Sequence, residues 1–187
     1  MIDFIFTVDQ AVEQFFYLHR TPFFVTFFKF VTQFGDGVAI TIVGISIAVA
    51  LINRSRAHDA VGLAVSIFCS LATSFFLKLI IERARPLSPF PIIDVAGYAF
   101  PSLHATMAMA MYGFLVYLVW KSPQPALMRW VWMIIPAALV VLVGFSRIYL
   151  GVHFLSDVIA GYIVGSLFVW IGIQAAQYSA TRSTRFK

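Results

Sequence analysis

The chain has 187 residues, of which 61% are hydrophobic and only 11% are charged. A soluble domain usually carries about 25% charged residues, so this composition excludes a water-soluble globular protein and predicts an integral membrane protein. The net charge of +5 does not favour a nucleic-acid partner, because the basic residues fall in short connections and at the C-terminus. The length is that of a single domain.

The first predicted element is an amphipathic helix at residues 3–19, whose apolar side chains repeat with a helical period. That pattern is typical of a helix lying in the membrane interface. Residues 21–34 are rich in phenylalanine but short. They fit a second interfacial helix, a re-entrant helix, or a poor spanning segment formed together with the first. Asp9, Glu13 and Lys29 are assigned to the polar faces of these helices, without a catalytic role.

Five longer apolar runs follow, each near the roughly 20 residues that a bilayer crossing needs. They occupy residues 37–53, 59–81, 102–120, 128–148 and 154–176. The connection at 82–100 is long and rich in proline, whereas the others are short. We therefore predict an all-α fold, a polytopic transmembrane helix bundle of five to six spanning helices with an N-terminal amphipathic segment. The corresponding division is an N-terminal part at 1–35, the transmembrane bundle at 36–176 and a basic tail at 177–187.

Positive charges predict the orientation of the bundle. Alternating passes bring two connections and the tail to one side, with Arg54, Arg56, Lys121, Arg129, Arg182, Arg185 and Lys187. The positive-inside rule makes that side, and the C-terminus, cytoplasmic in a cell (inner) membrane. The 82–100 loop and the 147–153 turn then face the periplasm or exterior. These outward segments also carry cations, and a phosphate-binding role explains that exception to the rule.

Three polar clusters at the edges of apolar runs indicate a functional site, because charged groups at membrane depth are expensive to keep. In the last cluster, His153 and Asp157 are four residues apart and share a face on a helix. A carboxylate that binds one imidazole nitrogen frees the other nitrogen for attack. The alternative is that the histidine and the aspartate are a buried pair that only satisfies its own hydrogen bonds and has no catalytic role. Arg147, just before the turn, offers paired donors to phosphate oxygens.

The middle cluster places Pro101 and Ser102 at the start of an apolar helix. Free N–H groups at such an N-terminus bind anions, and His104 in the first turn is placed to donate a proton to a leaving alkoxide. Ordinary helix capping beside an interfacial histidine is the alternative.

The first cluster contains Lys78 near the outer end of a helix and Arg85 about two turns later. These cations fit phosphate binding, or long side chains that reach the membrane surface. Glu82 and Arg83 are interpreted as a charge pair of the loop, with no role in the site.

The order and spacing of the clusters resemble the signatures of the type 2 phosphatidic acid phosphatase family, K-x6-RP, PSGH and SR-x5-H-x3-D. Here they stand as Lys78 to Arg85-Pro86, Pro101 to His104, and Ser146-Arg147 through His153 to Asp157. The resemblance covers about residues 36–176. Leu103 departs from it, standing where the family has glycine. Leucine still supplies a backbone N–H, and it is strained only if the position requires a positive φ angle.

The resemblance implies a role for each matching residue. His153 is expected to be the nucleophile that forms a phosphohistidine, Asp157 to orient it, and His104 to protonate the leaving group. The phosphate oxygens are expected to be held by Lys78, Arg85, Ser102, Arg147 and the backbone of Leu103. No metal or other cofactor is expected, and the sequence offers neither a carboxylate cluster suited to Mg²⁺ nor a ligand set suited to zinc.

These expectations lead to three functional hypotheses. The first is an enzyme, a metal-independent lipid phosphatase that takes a lipid phosphate or pyrophosphate from the bilayer and acts on it at the extracytoplasmic face. Undecaprenyl pyrophosphate ranks first as substrate, followed by phosphatidylglycerol phosphate and phosphatidic acid. The second hypothesis is a lipid-to-lipid phosphotransferase of the same fold. The third is a non-catalytic lipid-binding or transport protein, which has no need for a nucleophile and its orienting acid.

Overall fold

A computed structural model describes residues 2–86, 92 and 95–185. Within these residues the chain is helical, without a strand, as predicted. Seven α-helices follow in order: α1 Ile2–Leu18, α2 Pro22–Thr32, α3 Gly37–Asn53, α4 Ala57–Ile81, α5 Leu103–Trp120, α6 Ala126–Tyr149 and α7 Leu155–Arg185. A short 3-10 turn at Gln33–Gly35 separates α2 from α3.

Four of the helices, α4 to α7, are long and apolar enough to cross a membrane. The segments Pro22–Gly35 and Gly37–Asn53 meet at an angle of 49° and count as a fifth crossing if they form one broken span. The described part of the chain thus contains four or five candidate crossings, against a prediction of five to six. Since α1 is not among them, the lower end of the predicted range is the one that the structure supports.

The outer surface of the bundle is apolar. Large hydrophobic side chains are exposed on every long helix, including Phe68 and Phe76 of α4, Leu127 of α6 and Ile163 of α7. On a soluble protein such a surface would aggregate, whereas on this bundle it faces lipid. The chain is therefore an integral membrane protein.

The interior of the bundle is organised around α7, which packs along both α4 and α5. A small-residue stripe on α4 permits close approach: a Cβ atom added at Gly62 would lie 2.5 Å from the backbone oxygen of Gly172. Farther along α4, Ser66, Ser70 and Ser74 are fully buried at four-residue intervals. Small residues at such intervals are a usual way to bring membrane helices together.

The alternating directions of the helices bring the three polar clusters to one end of the bundle. This end contains the C-termini of α4 and α6 and the N-termini of α5 and α7. The amide of Ser102 donates to the backbone oxygen of Asp157 at 3.0 Å and ties two of these helix ends together. At the opposite end, Asp59 pairs with Arg56 at 2.7 Å and with Lys121 at 3.4 Å. The polar clusters and this charged group thus lie at opposite ends of the bundle.

Candidate active site

His153 and Asp157 meet at the start of α7, although not on one helix face as the spacing suggested. His153 lies in the turn before α7, and only Asp157 belongs to the helix. The pair still meets because Oδ2 of Asp157 accepts a hydrogen bond from the Phe154 amide at 2.9 Å, which folds the carboxylate back over the turn. The same oxygen lies 3.5 Å from Nδ1 of His153. That distance is longer than a hydrogen bond, and a small shift would close it.

The tautomer of His153 follows from its second ring nitrogen. Nε2 lies 3.1 Å from a terminal nitrogen of Arg85, and a guanidinium can only donate. Nε2 must therefore accept, which places the ring proton on Nδ1, facing Asp157. Burial lowers the pKa of His153 well below the ordinary value of 6.5. Three neighbouring cations act in the same direction: Arg147, Arg85 and Lys78. The imidazole is thus neutral, the form that a nucleophilic histidine requires.

The lowered pKa of His153 predicts a loss of stability in acid. Below a pH of about 6.5 an unfolded chain binds a proton on this ring while the folded chain does not, so acidification favours unfolding. Between pH 7.5 and pH 5.5, the wild-type midpoint of thermal unfolding in detergent should fall more than that of a His153→Gln variant. The other histidines are common to both proteins and cancel in the comparison. Equal falls in the two proteins would show that His153 does not resist protonation.

Lys78 and Arg85 are held side by side next to His153. Nζ of Lys78 donates to the backbone oxygen of Tyr98 at 2.6 Å, and Arg85 reaches the same oxygen at 3.3 Å. Arg85 also donates to the carbonyl groups of Gly97 at 2.9 Å and Val152 at 2.8 Å. Carbonyl oxygens of the 82–100 loop and of the 150–154 turn thus hold two like charges together, which creates a strongly cationic wall.

Ser102 and Arg147 each carry a buried polar atom without a partner among the described residues. Ser102 occupies the N-cap position of α5, but its side chain makes no capping bond, and Oγ has no partner among the described residues. Arg147, 2% exposed, donates from one terminal nitrogen to Thr32 Oγ1 at 2.7 Å, while its Nε lacks a described partner. Buried polar atoms are seldom left unpaired. A bound oxyanion would supply the acceptors that both donors need.

His104 faces this site from the first turn of α5. Arg147, His153 and Arg85 are near enough to act on it electrostatically, and so is Asp36 from the turn before α3. A Cβ atom added at Gly35 would lie 3.3 Å from that of His104, so the α2–α3 turn packs directly against the histidine. Neither Asp36 nor Thr32 could be recognised in the sequence, because neither belongs to a motif.

Leu103, the departure from the family signature, is the first residue of α5. The described non-glycine residues with a positive φ angle are Ser55 and Glu82, so Leu103 is not strained. Its side chain lines a cavity instead of disturbing the turn. The leucine therefore changes the shape of the site and leaves the helix N-terminus intact.

The interpretation of Arg83 as the partner of Glu82 in a loop charge pair is wrong. Arg83 is 15% exposed and binds Oδ1 of Asp157 at 2.6 Å and Oδ2 of Asp9 at 2.7 Å. Asp9 is itself 1% exposed, so it does not lie on a solvated face of α1. No local signal points to this pairing, because Asp9 falls on the polar side of an amphipathic helix.

A cavity of about 620 Å³ leads from the site into the membrane region between α3, α4 and α5. Its polar end is formed by Asp36, Leu103 and His104. Apolar side chains line the rest, including Ile40, Ile42, Ile45, Leu63, Ile67, Phe68, Leu71 and Met107. Several of these, among them Ile42, Ile45 and Phe68, are also exposed on the outer surface. The cavity therefore opens sideways, towards the lipid.

Comparisons with known proteins agree with this arrangement. The sequence model of the PAP2 superfamily matches residues 59–180, more than half of the chain. The chain is 27% identical to phosphatidylglycerophosphatase B of Bacillus subtilis over 166 residues, 88% of this chain and 81% of that protein. It is 30% identical to the undecaprenyl-diphosphatase of Sulfolobus acidocaldarius over 139 residues, 72% of this chain and 62% of that protein.

The fold is also similar to that of a known member of the PAP2 group. A crystal structure of a transmembrane PAP2-type phosphatidylglycerolphosphate phosphatase from Bacillus subtilis superposes with a TM-score of 0.83 at 27% identity. The match covers 92% of this chain and 86% of that one. The chain belongs to the PAP2 superfamily. It is a membrane-embedded lipid phosphatase of the metal-independent PAP2 type.

Proposed function

We propose that the protein removes the terminal phosphate of a lipid phosphate or pyrophosphate through a phosphohistidine on His153. The observation that carries the proposal is the neutral imidazole of His153 beside Arg85 and Arg147, together with two buried donors, Ser102 Oγ and Arg147 Nε, that lack described partners. Donors of this kind stabilise the charge that spreads over phosphoryl oxygens in the transition state.

The geometry suggests an order of events. Nε2 of His153 attacks phosphorus, and Arg85, which now donates to Nε2, transfers that hydrogen bond to a phosphate oxygen. The N–H group at Nδ1 then donates a hydrogen bond to Asp157, whose carboxylate stabilises the positive charge that develops on the ring. His104 takes up a proton together with the incoming anionic phosphate and gives it to the leaving oxygen. Now neutral, it removes a proton from the water that cleaves the phosphorus–nitrogen bond. Inorganic phosphate leaves, and His153 is regenerated as the neutral base.

The cavity supports a lipid substrate. An apolar chain of the bilayer can enter it sideways and lie along α3 and α4, which brings the phosphate at its end next to His104. The names of the relatives point to two head groups, a phospholipid phosphate and a polyprenyl diphosphate, at 27% and 30% identity. We propose undecaprenyl pyrophosphate and phosphatidylglycerol phosphate as the first substrates to test, with phosphatidic acid next.

The charge distribution supports an extracytoplasmic site. Arg56 and Lys121 lie together at the end of the bundle opposite to His153. If that end is cytoplasmic, as the positive-inside rule requires, the phosphates are cleaved on the outer side of the membrane. A reporter enzyme fused to the C-terminus and active only in the cytoplasm should then remain active. An inactive fusion protein of normal abundance would show that the C-terminus is on the outer side and that the orientation is the reverse of the one proposed.

The decisive experiment is phosphate release by the purified protein in detergent containing EDTA, with the three lipids offered in parallel. We expect release without added metal, and the relative kcat/KM values rank the substrates. If the folded protein releases no phosphate from any of the three lipids, the result would count against hydrolysis of these lipids. A second lipid added as acceptor, with its phosphorylated form measured, would then test phosphoryl transfer.

Leu103 provides a test of head-group selection. Because its side chain lines the polar end of the cavity, replacement by glycine should enlarge the space beside His104. We expect the kcat/KM ratio of phosphatidylglycerol phosphate to phosphatidic acid to rise roughly tenfold, the usual effect of changing an apolar wall by a few carbon atoms. A Leu103→Met variant, which keeps the volume, should leave the ratio unchanged. If both variants keep the wild-type ratio, Leu103 does not limit the head group.

A further inference from the structure

Arg83 connects three separate parts of the chain next to the proposed nucleophile. One terminal nitrogen donates to Asp157 Oδ1 and to Ser156 Oγ, each at 2.6 Å. The other donates to Asp9 Oδ2 at 2.7 Å. We call Arg83 with Asp9, Ser156 and Asp157 the Arg83 bridge. It links α1 and the end of α4 to the first turn of α7.

The Arg83 bridge fixes both oxygens of the Asp157 carboxylate. Oδ1 is bound to Arg83, and Oδ2 is bound to the Phe154 amide and faces Nδ1 of His153. Asp157 is fully buried, so its charge depends on a partner that stays in place. The Arg83 bond therefore decides which oxygen points at the histidine and from which direction.

Arg83 is itself held by contacts that leave it little freedom. Asp9 accepts from the Ser156 amide at 2.9 Å and from the Ser156 hydroxyl, besides Arg83, so its carboxylate is also fixed. The Arg83 guanidinium lies 4.4 Å above the centre of the Phe154 ring, which blocks movement to that side. A planar guanidinium with paired donors suits this arrangement better than the single ammonium group of lysine.

We propose that Arg83, held by Asp9 of α1, is a positioning residue that aligns Asp157 with His153. The proposal rests on the proposed function, because alignment matters only if His153 reacts. Without Arg83 the buried carboxylate loses its charge partner and turns towards other donors, so Oδ2 moves away from Nδ1 of His153, from which it is now 3.5 Å distant. Groups that orient a catalytic residue in this way typically contribute 10- to 100-fold. In this view α1 is part of the catalytic apparatus, although none of its residues reaches the phosphate.

The alternative is that the Arg83 bridge only fastens α1 and the loop to α7. Kinetic constants separate the two roles. If Arg83 positions Asp157, Arg83→Gln should lower kcat by roughly 10- to 100-fold with KM within about twofold, and Arg83→Lys should recover part of the loss. Asp9→Asn should lower kcat by a smaller factor, since it loosens Arg83 without removing it.

Arg20 offers a matched control. It is also a partly buried arginine that fastens the N-terminal segment, with Nε donating to the backbone oxygen of Tyr149 at 2.9 Å, but it makes no contact with Asp157. Arg20→Gln should lower the thermal midpoint while kcat stays near wild type. If Arg20→Gln and Arg83→Gln reduce kcat in proportion to their loss of stability, Arg83 is only a fastening and the proposal is overturned.

A spectroscopic measurement tests the proposal without substrate. In protein labelled with ¹⁵N in its four histidines, His153 is assigned by its absence from a His153→Gln variant. Arg85 holds Nε2 as an acceptor in each variant, so the ring proton should stay on Nδ1. Arg83→Gln should shift the Nδ1 resonance, because Asp157 no longer faces that nitrogen in the same way, while Arg20→Gln should not. An unchanged Nδ1 resonance in Arg83→Gln would overturn the proposal. If the wild-type protein releases no phosphate but Arg83→Gln still changes the His153 signal, the proposed function is wrong while the alignment of Asp157 by Arg83 stands.

Discussion

Replacement of His153 by alanine should abolish phosphate release from every lipid that the wild-type protein hydrolyses. Nε2 of His153 is held as an acceptor by Arg85 at 3.1 Å, which keeps the lone pair of this nitrogen free of a proton. Loss of a covalent nucleophile typically lowers kcat by more than about 10³-fold. The measurement is phosphate release in EDTA, together with trapping of ³²P on the protein in reactions quenched with alkaline detergent.

The trapped label gives this prediction its sharpest form. A phosphohistidine is labile in acid and stable in base, so the wild-type label should survive alkali and disappear from His153→Ala. His58 supplies a matched control, because its Nε2 lies 3.4 Å from buried Asp59 at the opposite end of the bundle. His58→Ala removes a histidine from a similar carboxylate and should keep both label and activity. A labelled, active His153→Ala protein would refute the assignment of the nucleophile.

Replacement of His104 by asparagine should have a large effect that depends on the leaving group. If His104 protonates the departing oxygen, its loss should lower kcat for a lipid phosphate monoester by roughly 10²- to 10⁴-fold. The leaving alkoxide of such a lipid is a strong base and needs the proton. p-Nitrophenyl phosphate has a leaving group that departs without one, so the same variant should release the first equivalent of p-nitrophenol, before water is needed, at a rate within about tenfold of wild type.

The ratio of the two substrates separates this role from a simple loss of structure. A misfolded or poorly binding His104→Asn protein would lose both activities in parallel. Asp36, which lies near His104 but caps α3 by accepting from the Val38 amide at 2.9 Å, provides the comparison. Asp36→Asn keeps an acceptor for that cap and should slow both substrates by a similar, small factor. Parallel losses in His104→Asn would contradict its role as the general acid.

Much of the candidate site could be predicted because its residues interrupt long apolar runs. Lys78, Arg147 and Asp157 each stand out against a hydrophobic background, and helix directions alone bring the ends that carry them together. The helical architecture followed from the same contrast between long apolar runs and short polar connections. The roles of the individual residues remain predictions, to be decided by the variants described above.

The Arg83 bridge could not be predicted, because nothing local distinguishes Arg83 from an ordinary charge at a membrane edge. Its partners Asp9 and Asp157 are each 74 residues away along the chain, on opposite sides of it. Asp9 likewise resembled the polar face of an interfacial helix. Long-range pairing of this kind depends on how α1 docks on the bundle, and amphipathic periodicity does not contain that information. The bend between α2 and α3, which brings Thr32 to Arg147, escaped prediction for the same reason.

The sideways opening of the cavity determines where each reaction partner is found. A substrate that enters between α3 and α4 never dissolves in water, so the enzyme responds to its mole fraction in the leaflet and is insensitive to its bulk concentration. The two products then separate. The dephosphorylated lipid diffuses within the plane of the bilayer, while inorganic phosphate diffuses into the surrounding water. Because the products enter different phases, they rarely meet again at the same site. Reversal would require both products to reach His153 together, one from the bilayer and one from water.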